Sequence, residues 1–279
     1  MRGVGATVSL TLRVLTLNLW NLEGEPGRQS LLRDAIHDLR PDLLSLQEVA
    51  RTSERDQLAG LLDGTGLHGI HQLEVLDAHP AAARAGTALA SRWKPTEVEA
   101  IALPRALGAE CAIAATIRLP NGQDLVFVAA KPTWRLDAEA ARLAQVKAIA
   151  ELDAKLRRAV PTIIAGDFDA TPDADSMRYL AGRAVSEGTS VHYHDSWTVA
   201  GDGGPGYTWT SENPLALPVV EEAVGQLPHA RRIDYVLVGS RHHHPDVSAK
   251  ILRSQVVLTA PPVSDHYGVL AEIEVAVLR

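Results

Sequence analysis

The chain has 279 residues, 46% of them hydrophobic, enough to bury one large core or two small ones. A formal net charge of −7 argues against a protein that grips long nucleic acid, since such binding rests on clustered Lys and Arg neutralising many phosphates. It leaves room for a small phosphate ester held through a metal ion.

The N-terminal stretch, residues 1–20, lacks the uninterrupted apolar core and small-residue cleavage site of a signal peptide. No window approaches the ~18 consecutive apolar residues of a membrane helix. The expected setting is the cytoplasm, with no membrane partner. Residues 12–19 alternate as a strand that ends at Asn18-Leu19-Trp20-Asn21. Residues 28–40 place Leu31, Leu32, Ala35, Ile36 and Leu39 at helical spacing, and Pro41 stops the helix. Residues 42–49 (DLLSLQEV) form a second short apolar strand, closing on Gln47-Glu48. A helix is expected over 53–63, and strands over 86–91 and 98–103. Cys111 is the single cysteine and has no disulfide partner; its setting, Cys-Ala-Ile-Ala-Ala-Thr-Ile, reads as core packing rather than a nucleophile. Segments 111–119 and 124–130 flank Asn121-Gly122, the strongest hairpin signal in the chain.

Residues 137–158 predict the longest helix, rich in Ala, Leu, Glu, Lys and Arg, with acidic residues in its first turn and Arg157-Arg158 in its last. Thr162-Ile163-Ile164-Ala165 is a run of the kind shown by a strand buried on both faces. It breaks at Gly166, and Asp167 and Asp169 follow before Pro172 and Asp173 open a helix to about Leu180. A loop-rich stretch then runs to Ala230; its second part, 211–230, carries three prolines and no clear periodicity. Strands are expected over 232–238, 247–258 and 267–278. No repeat and no linker composition divides the chain, so one domain spans 1–279. Strands mixed with helices, hairpins and crossovers predict an α/β protein of two mixed sheets packed face to face with helices outside.

Polar residues recur at the strand ends: Asn18, Glu48, Asp167 with Asp169, Asp234, and Asp265-His266. Hard divalent ions take carboxylate and water oxygens, a role that suits Glu48 and Asp265. His266, next to a carboxylate, is placed to act as a general base or as a transition-state donor. Asp234 suits either an ion pair with a neighbouring arginine or the orientation of that imidazole. His242-His243-His244 reads as a Pro-flanked surface turn rather than a metal site, while His192, Tyr193 and His194 are loop residues near the expected mouth of a site.

LRVLTLNLW, PDLLSLQEV, IIAGDFDATPDAD, RRIDYVLV and SDHYGVLAEIEV, in this order over nearly the whole chain, resemble the endonuclease/exonuclease/phosphatase (DNase I-like) superfamily. The resemblance implies a four-layer α/β sandwich with mainly antiparallel sheets, and Mg²⁺-dependent (or Mn²⁺-dependent) cleavage of phosphoesters by in-line attack of water. It makes Asn18 and Glu48 metal-site residues with Glu48 a direct ligand, lets Asp265 support the metal, and has Asp167 position or deprotonate the water. His266, paired with Asp234, would stabilise the phosphoryl group. GPGYTWTSENP, which contains Tyr207 and Trp209, resembles a substrate-side loop of bacterial members. Asn18 is also a substrate-side residue in this reading; Trp20 and Trp134 would wall the pocket, with Arg135 beside them.

Two positions depart from the family pattern. Its central motif usually reads GDFN, with the Asn amide donating to the phosphate; here that position is Asp169, an acceptor with a charge that repels a phosphate. Where an Asn-Thr-His motif is expected, this chain has Lys131 in Ala-Lys-Pro-Thr-Trp-Arg. Lys131 and Asp169 are therefore expected to face each other as an ion pair, or as an acid–base pair with Lys131 brought toward neutrality by burial. The first expectation for function is a Mg²⁺-dependent phosphoesterase acting on a small molecule and not on long nucleic acid. The alternatives are a scaffold recruited to non-phosphate chemistry such as cyclisation, elimination or hydrolysis, and a binding module with an impaired site.

Overall fold

A computed structural model describes residues 9–77 and 79–278. Residues 1–8, part of the stretch read above for a targeting signal, lie outside the described residues. The chain runs β1 (Ser9–Asn18), α1 (Arg28–Leu39), β2 (Leu43–Val49), α2 (Gln57–Leu62), β3 (His68–His71), α3 (Gln72–Val75), α4 (Ala82–Ala85), β4 (Gly86–Ser91), β5 (Glu97–Ala102), β6 (Cys111–Arg118) and β7 (Asp124–Lys131). It continues through α5 (Glu139–Leu156), β8 (Ile163–Asp167), α6 (Asp175–Leu180), β9 (Tyr193–Asp195), α7 (Ser196–Ala200), β10 (Trp209–Thr210), α8 (Leu217–Ala223), β11 (Ala230–Arg231), β12 (Asp234–Gly239), β13 (Val247–Val257) and β14 (Gly268–Val277).

Two six-stranded sheets result, ordered β13-β14-β1-β2-β4-β3 and β5-β6-β7-β8-β12-β9. Each is mostly antiparallel with one parallel pair at its centre, β1 with β2 and β7 with β8. A parallel pair needs a crossover, and the helices that close them, α1 and α5, cover the outer faces. Leu32 and Ile36 of α1 pack with Leu15, Leu17 and Leu44 on the outside of the first sheet. Val146, Ile149 and Leu152 of α5 pack with Val126, Val128 and Ile164 on the outside of the second. Between the sheets lies a third apolar layer containing Leu12, Val14, Leu43, Ile113, Phe127, Ile163 and Val236. Helix, sheet, sheet, helix: the four layers expected from the sequence are present.

Side chains alternate between the faces of a strand, so parity assigns each residue to a layer. Odd residues of β7 (Leu125, Phe127, Ala129) and of β8 (Ile163, Ala165) face the other sheet, as do Leu12 and Val14 of β1 and Val236 and Val238 of β12. Continuing each count to the strand end brings Lys131, Asp167, Asn18 and Asp234 to that same inner face. The apolar layer between the sheets therefore ends at one rim in four polar side chains.

Cys111 lies in the inter-sheet core, where burial pushes its thiol up to about 12, as the packing reading anticipated. The Asn121-Gly122 hairpin forms as a three-residue loop. Gly122 N–H donates to Leu119 O at 2.9 Å and Gly122 takes φ +81°, the left-handed position such a loop gives to glycine. The helix expected over 53–63 is shorter, because Asp56 caps it by accepting from Ala59 N–H at 2.9 Å. The stretch 181–230 is not irregular throughout: it contributes β9 to the edge of the second sheet, the β10–β11 ribbon, and α7 and α8.

Gly166 fixes how closely β7 and β8 approach beside the rim. A Cβ on Gly166 would stand 2.0 Å from Ala130 O, a backbone atom that cannot turn aside. Gly166→Ala is expected to destabilise at or above the top of the ~1–3 kcal/mol range of overpacked sites. The check is denaturant unfolding, with a lower midpoint at unchanged slope.

Candidate active site

The rim gathers the strand-end residues into one hydrogen-bonded cluster. Asn18, the last residue of β1, donates through Nδ2 to Glu48 Oε1 and to Asp167 Oδ2, both at 2.9 Å, and accepts from Trp20 N–H through Oδ1 at 2.9 Å. Glu48 belongs by parity to the outer face of β2. A register irregularity between Leu46 and Val49, with Glu48 at φ +54°, turns it toward the rim instead. Antiparallel register sets Asp234 opposite Asp167.

Lys131 Nζ donates to Asp167 Oδ2 at 2.6 Å and to Asp169 Oδ2, and Asp169 N–H donates to Asp167 Oδ1 at 3.0 Å. Burial alone would lower the ammonium's pKa, but the charges of Asp167, Asp169 and Glu48 outweigh it and hold Lys131 well above its ordinary value. The expectation that burial brings Lys131 toward neutrality as a base is thereby corrected: two carboxylates lock its proton in place. Asp167 is opposed by burial but pulled down more strongly by Lys131, His266 and the Asn18 amide, to about 2. Asp169 shifts upward, through burial and repulsion by Asp167, against the pull of Lys131.

His266 Nδ1 lies 3.0 Å from Asp234 Oδ2, and its Nε2 lies 3.8 Å from Asp167 Oδ2. Burial would lower its pKa, but Asp234, Asp167 and Asp265 together raise it well above the usual imidazole value. That shift favours the imidazolium, the form in which Nε2 donates, over the neutral ring that acts as a base. Arg232 pairs with Asp195 at 2.8 Å, which leaves Asp234 to the imidazole. Asp167, Asp234 and His266 present ligand atoms within 4.8 Å of one another. The imidazole faces a carboxylate from each of its nitrogens, Asp234 at 3.0 Å and Asp167 at 3.8 Å, and we read this group as an ion-paired triad.

An open cavity of about 260 Å³ lies over the rim. Glu48, Lys131, Asp169, Asp265 and His266 face it, and Trp20, Trp134 and Trp209 wall it. Glu48 and Asp265 enter no ion pair among the described residues; Asp265 accepts only from Ser264 Oγ, at 3.2 Å. Burial and then the charge of Glu48 push Asp265 up to about 6, against the pull of His266 and Ser264.

Other expected residues sit elsewhere. Asp167 is fully buried and lies behind Lys131 instead of facing the cavity, and Asn18 is buried behind Glu48. Arg135 borders a neighbouring hollow that shares Glu48, Lys131 and Trp134. Tyr207 is exposed and is not part of the cavity wall. Tyr193 belongs to edge strand β9, donates to Asp153 Oδ2 at 2.6 Å, and with His192 and His194 borders a separate hollow beside α6. The residues 241–243 form a short 3₁₀ turn on the surface. Sequence reasoning missed Asn21, Leu136, Val219, Ala223 and Arg231, which complete the wall. Three of these lie within or at the end of the stretch that shows no periodicity, so only the folded backbone brings them to the rim.

A family model described as Endonuclease/Exonuclease/phosphatase family matches residues 15–266. Among curated proteins, none matches the chain by sequence. The fold is similar to that of humanized D. rerio TDP2 carrying 14 mutations, at TM-score 0.71 and 17% identity, covering 94% of this chain and 98% of that one. It is also similar to D. rerio TDP2 complexed with single-strand DNA product (TM-score 0.69, 18% identity, 94% and 98% covered). An endonuclease/exonuclease/phosphatase from Bacteroides vulgatus matches at TM-score 0.67 and 19% identity, with 95% and 98% covered. Among the described residues no helix is long and apolar enough to cross a membrane.

The charges at the rim set a pH dependence for the metal-free protein. Asp265 binds its proton more tightly folded (about 6) than at its ordinary 3.8, so stability falls as pH rises through that window. The raised His266 contributes stability that is complete below 6.5 and is lost as pH climbs through its folded value. Both point the same way: the melting temperature is expected to be higher near pH 5 than near pH 8. Asp265→Asn should flatten the lower part of that slope and stabilise the protein at neutral pH by up to about 3 kcal/mol. Calorimetric melting across the pH series tests it.

Proposed function

We propose, since the chain belongs to the endonuclease/exonuclease/phosphatase family, that it is a divalent-metal-dependent hydrolase of a small organic phosphate mono- or diester. One observation carries this reading: Glu48 and Asp265 face the cavity without forming an ion pair among the described residues, while Lys131 and His266, each held by carboxylates, line the same cavity.

A pair of carboxylates, in which the charge of Glu48 helps raise the proton affinity of Asp265, suits a hard divalent cation, Mg²⁺ or Mn²⁺, which takes oxygen ligands. Glu48 and Asp265 would hold it, with Asn18 behind them orienting Glu48. When bound, such an ion polarises a phosphoryl oxygen and neutralises developing charge. The protein's own groups do the rest. His266, oriented by Asp234, donates from Nε2 to a phosphoryl oxygen or to the leaving group. Lys131 adds a permanent ammonium at the same wall. Asp167, buried and held near 2, is a weak base, and its part is to anchor Asn18 and Lys131. Asp169 faces the cavity with a raised pKa, which makes it the better group to accept a proton from the attacking water.

The substrate class follows from the walls. Trp20, Trp134, Leu136, Trp209 and Val219 suit a compact organic group, and the net charge of −7 is unfavourable for a long polyanion. D. rerio TDP2, whose fold is similar, was seen in complex with a single-strand DNA product, so short oligonucleotides belong in the assay. A second reading, non-phosphate metal-assisted or acid–base chemistry on a cationic or hydroxyl-bearing substrate, has one feature in its favour: the Asp169 carboxylate stands where a phosphate would feel its charge.

Generic phosphomonoesters and diesters with Mg²⁺ or Mn²⁺ separate the two. Hydrolysis by the native protein, lowered by about 10²-fold or more in Asp169→Asn, is the expected result. An inactive native protein that gains phosphatase activity in the double variant Asp169→Asn/Lys131→His would favour the second reading. Glu48→Ala is expected to abolish divalent-ion binding measured by calorimetry while leaving the fold intact by circular dichroism.

A further inference from the structure

Lys131 is engaged by two carboxylates and His266 by Asp234, so neither cation is free of protein charge. Arg231 differs. It borders the cavity, and among the described residues no carboxylate lies within ion-pair distance of it. Its one side-chain hydrogen bond runs from Nη2 to the backbone oxygen of Asp169, at 2.7 Å. That bond takes one of the five N–H donors of a guanidinium, leaving the others without a protein acceptor. The pKa of exposed Asp173 is lowered chiefly by its hydrogen bond with Thr171, and the field of Arg231 adds only a minor part.

Its orientation is fixed by the ribbon that carries it. Arg231 is directly opposite Trp209 in the β10–β11 pair, and directly opposed residues project from the same face. Trp209 borders the cavity with its ring centroid 6.4 Å from that of His266. Thr208 N–H donates to Arg231 O at 2.9 Å, and Tyr267 N–H donates to Thr208 O at 2.8 Å, which ties the ribbon to the strand end carrying Asp265 and His266. The arginine is thus held at the cavity by a backbone ladder, with its guanidinium braced against the turn at Asp169.

We propose that Arg231 is the residue that grips the substrate's phosphoryl oxygens, and so a specificity-determining residue of this site; the inference rests on the phosphoesterase reading. Asp169 accepts and cannot donate to an anion when ionised, Lys131 is spent on the carboxylates, and His266 offers the single donor Nε2, so the unpaired fork is the group able to reach two oxygens of one tetrahedral group. The same contact screens the phosphoryl group from the Asp169 carboxylate, because the guanidinium bridges the Asp169 backbone and the cavity.

The test uses inorganic phosphate as the probe, titrated into the Mg²⁺-saturated protein by calorimetry, with Mg²⁺ affinity measured separately. Arg231→Gln is expected to weaken phosphate binding by about tenfold or more with Mg²⁺ affinity unchanged. Arg231→Lys should recover only part of the loss, since an ammonium lacks the planar fork. With an ester substrate the KM is expected to rise more than kcat falls. Arg231→Met keeps the side-chain stem and serves if the Gln variant misfolds. Equal phosphate affinity in native protein and variants would overturn the role of Arg231 while leaving hydrolysis standing. A native protein that binds Mg²⁺ but no phosphate and cleaves no ester would overturn both.

Discussion

The bond on which the site depends is the one that crosses between the sheets: Asn18 Nδ2, at the end of β1, to Asp167 Oδ2, at the end of β8. The same amide nitrogen holds Glu48, and the amide oxygen fixes the chain at Trp20, so one side chain sets three elements relative to one another. It is supported one layer deeper by Ser45 Oγ donating to Ala165 O at 2.9 Å, again from one sheet to the other. A face-to-face sandwich is held mainly by apolar burial, which is non-directional and fixes no register between sheets. Directional bonds at the rim supply that register, and any shift between the sheets would be felt first at Asn18. The loop that follows is pinned in turn by buried Arg28, which donates to the backbone oxygens of Leu19, Trp20, Asn21, Glu23 and Val263.

Burying so many charges is tolerable only where each finds a partner. Asp167 answers Lys131, Asn18 and the Asp169 amide; Asp169 answers Lys131; Asp234 answers His266. Glu48 and Asp265 are left with neutral donors only. The molecule therefore carries its electrostatic strain on one side of one cavity, and that side is where a divalent cation would relieve it. Lys131 works in the opposite sense. A cation built into the chain offsets one of the two charges of Asp167 and Asp169, and it does so without a dissociable ion.

Much of this was legible in the sequence because strand parity is a strict rule. The alternation in LRVLTLN, VFVAAK, TIIAGD and DYVLV brings Asn18, Lys131, Asp167 and Asp234 to one face once the two sheets are assumed, and the family resemblance supplied that assumption. The pairing of Lys131 with Asp169 followed from the same placement, and their protonation did not: it turns on Asp167 lying on the far side of the ammonium, a distance no spacing gives. Glu48 breaks the parity rule and reaches the cavity only through a backbone irregularity at positive φ. Arg231 was invisible because β10 and β11 are two residues each, too short to show a period, and their register is set by tertiary contacts. Short β3 and α8 were missed for the same reason.

The stretch that sequence patterns describe least is also the one that shapes the cavity, and the two facts have a common cause. Trp209, Val219, Ala223 and Arg231 stand on elements that could not form alone and are stapled to the rim by polar bonds. Asn213 Nδ2 donates to the backbone oxygens of Ser264 and Asp265 at 2.9 and 3.0 Å. Thr208 Oγ1 accepts from the backbone N–H groups of Ile233 and Asp234 at 3.1 and 3.3 Å. These bonds end on the residues that carry or flank the carboxylates and the imidazole. A segment held this way is free to vary along its length while its anchors stay fixed, since the anchors spend only two polar side chains and the wall between them has no sheet register to satisfy. Substrate choice and chemistry are accordingly separable in the sequence but not in the fold: a change at Trp209 or Val219 alters the wall alone, whereas a change at Thr208 or Asn213 moves the wall and the catalytic strand ends together.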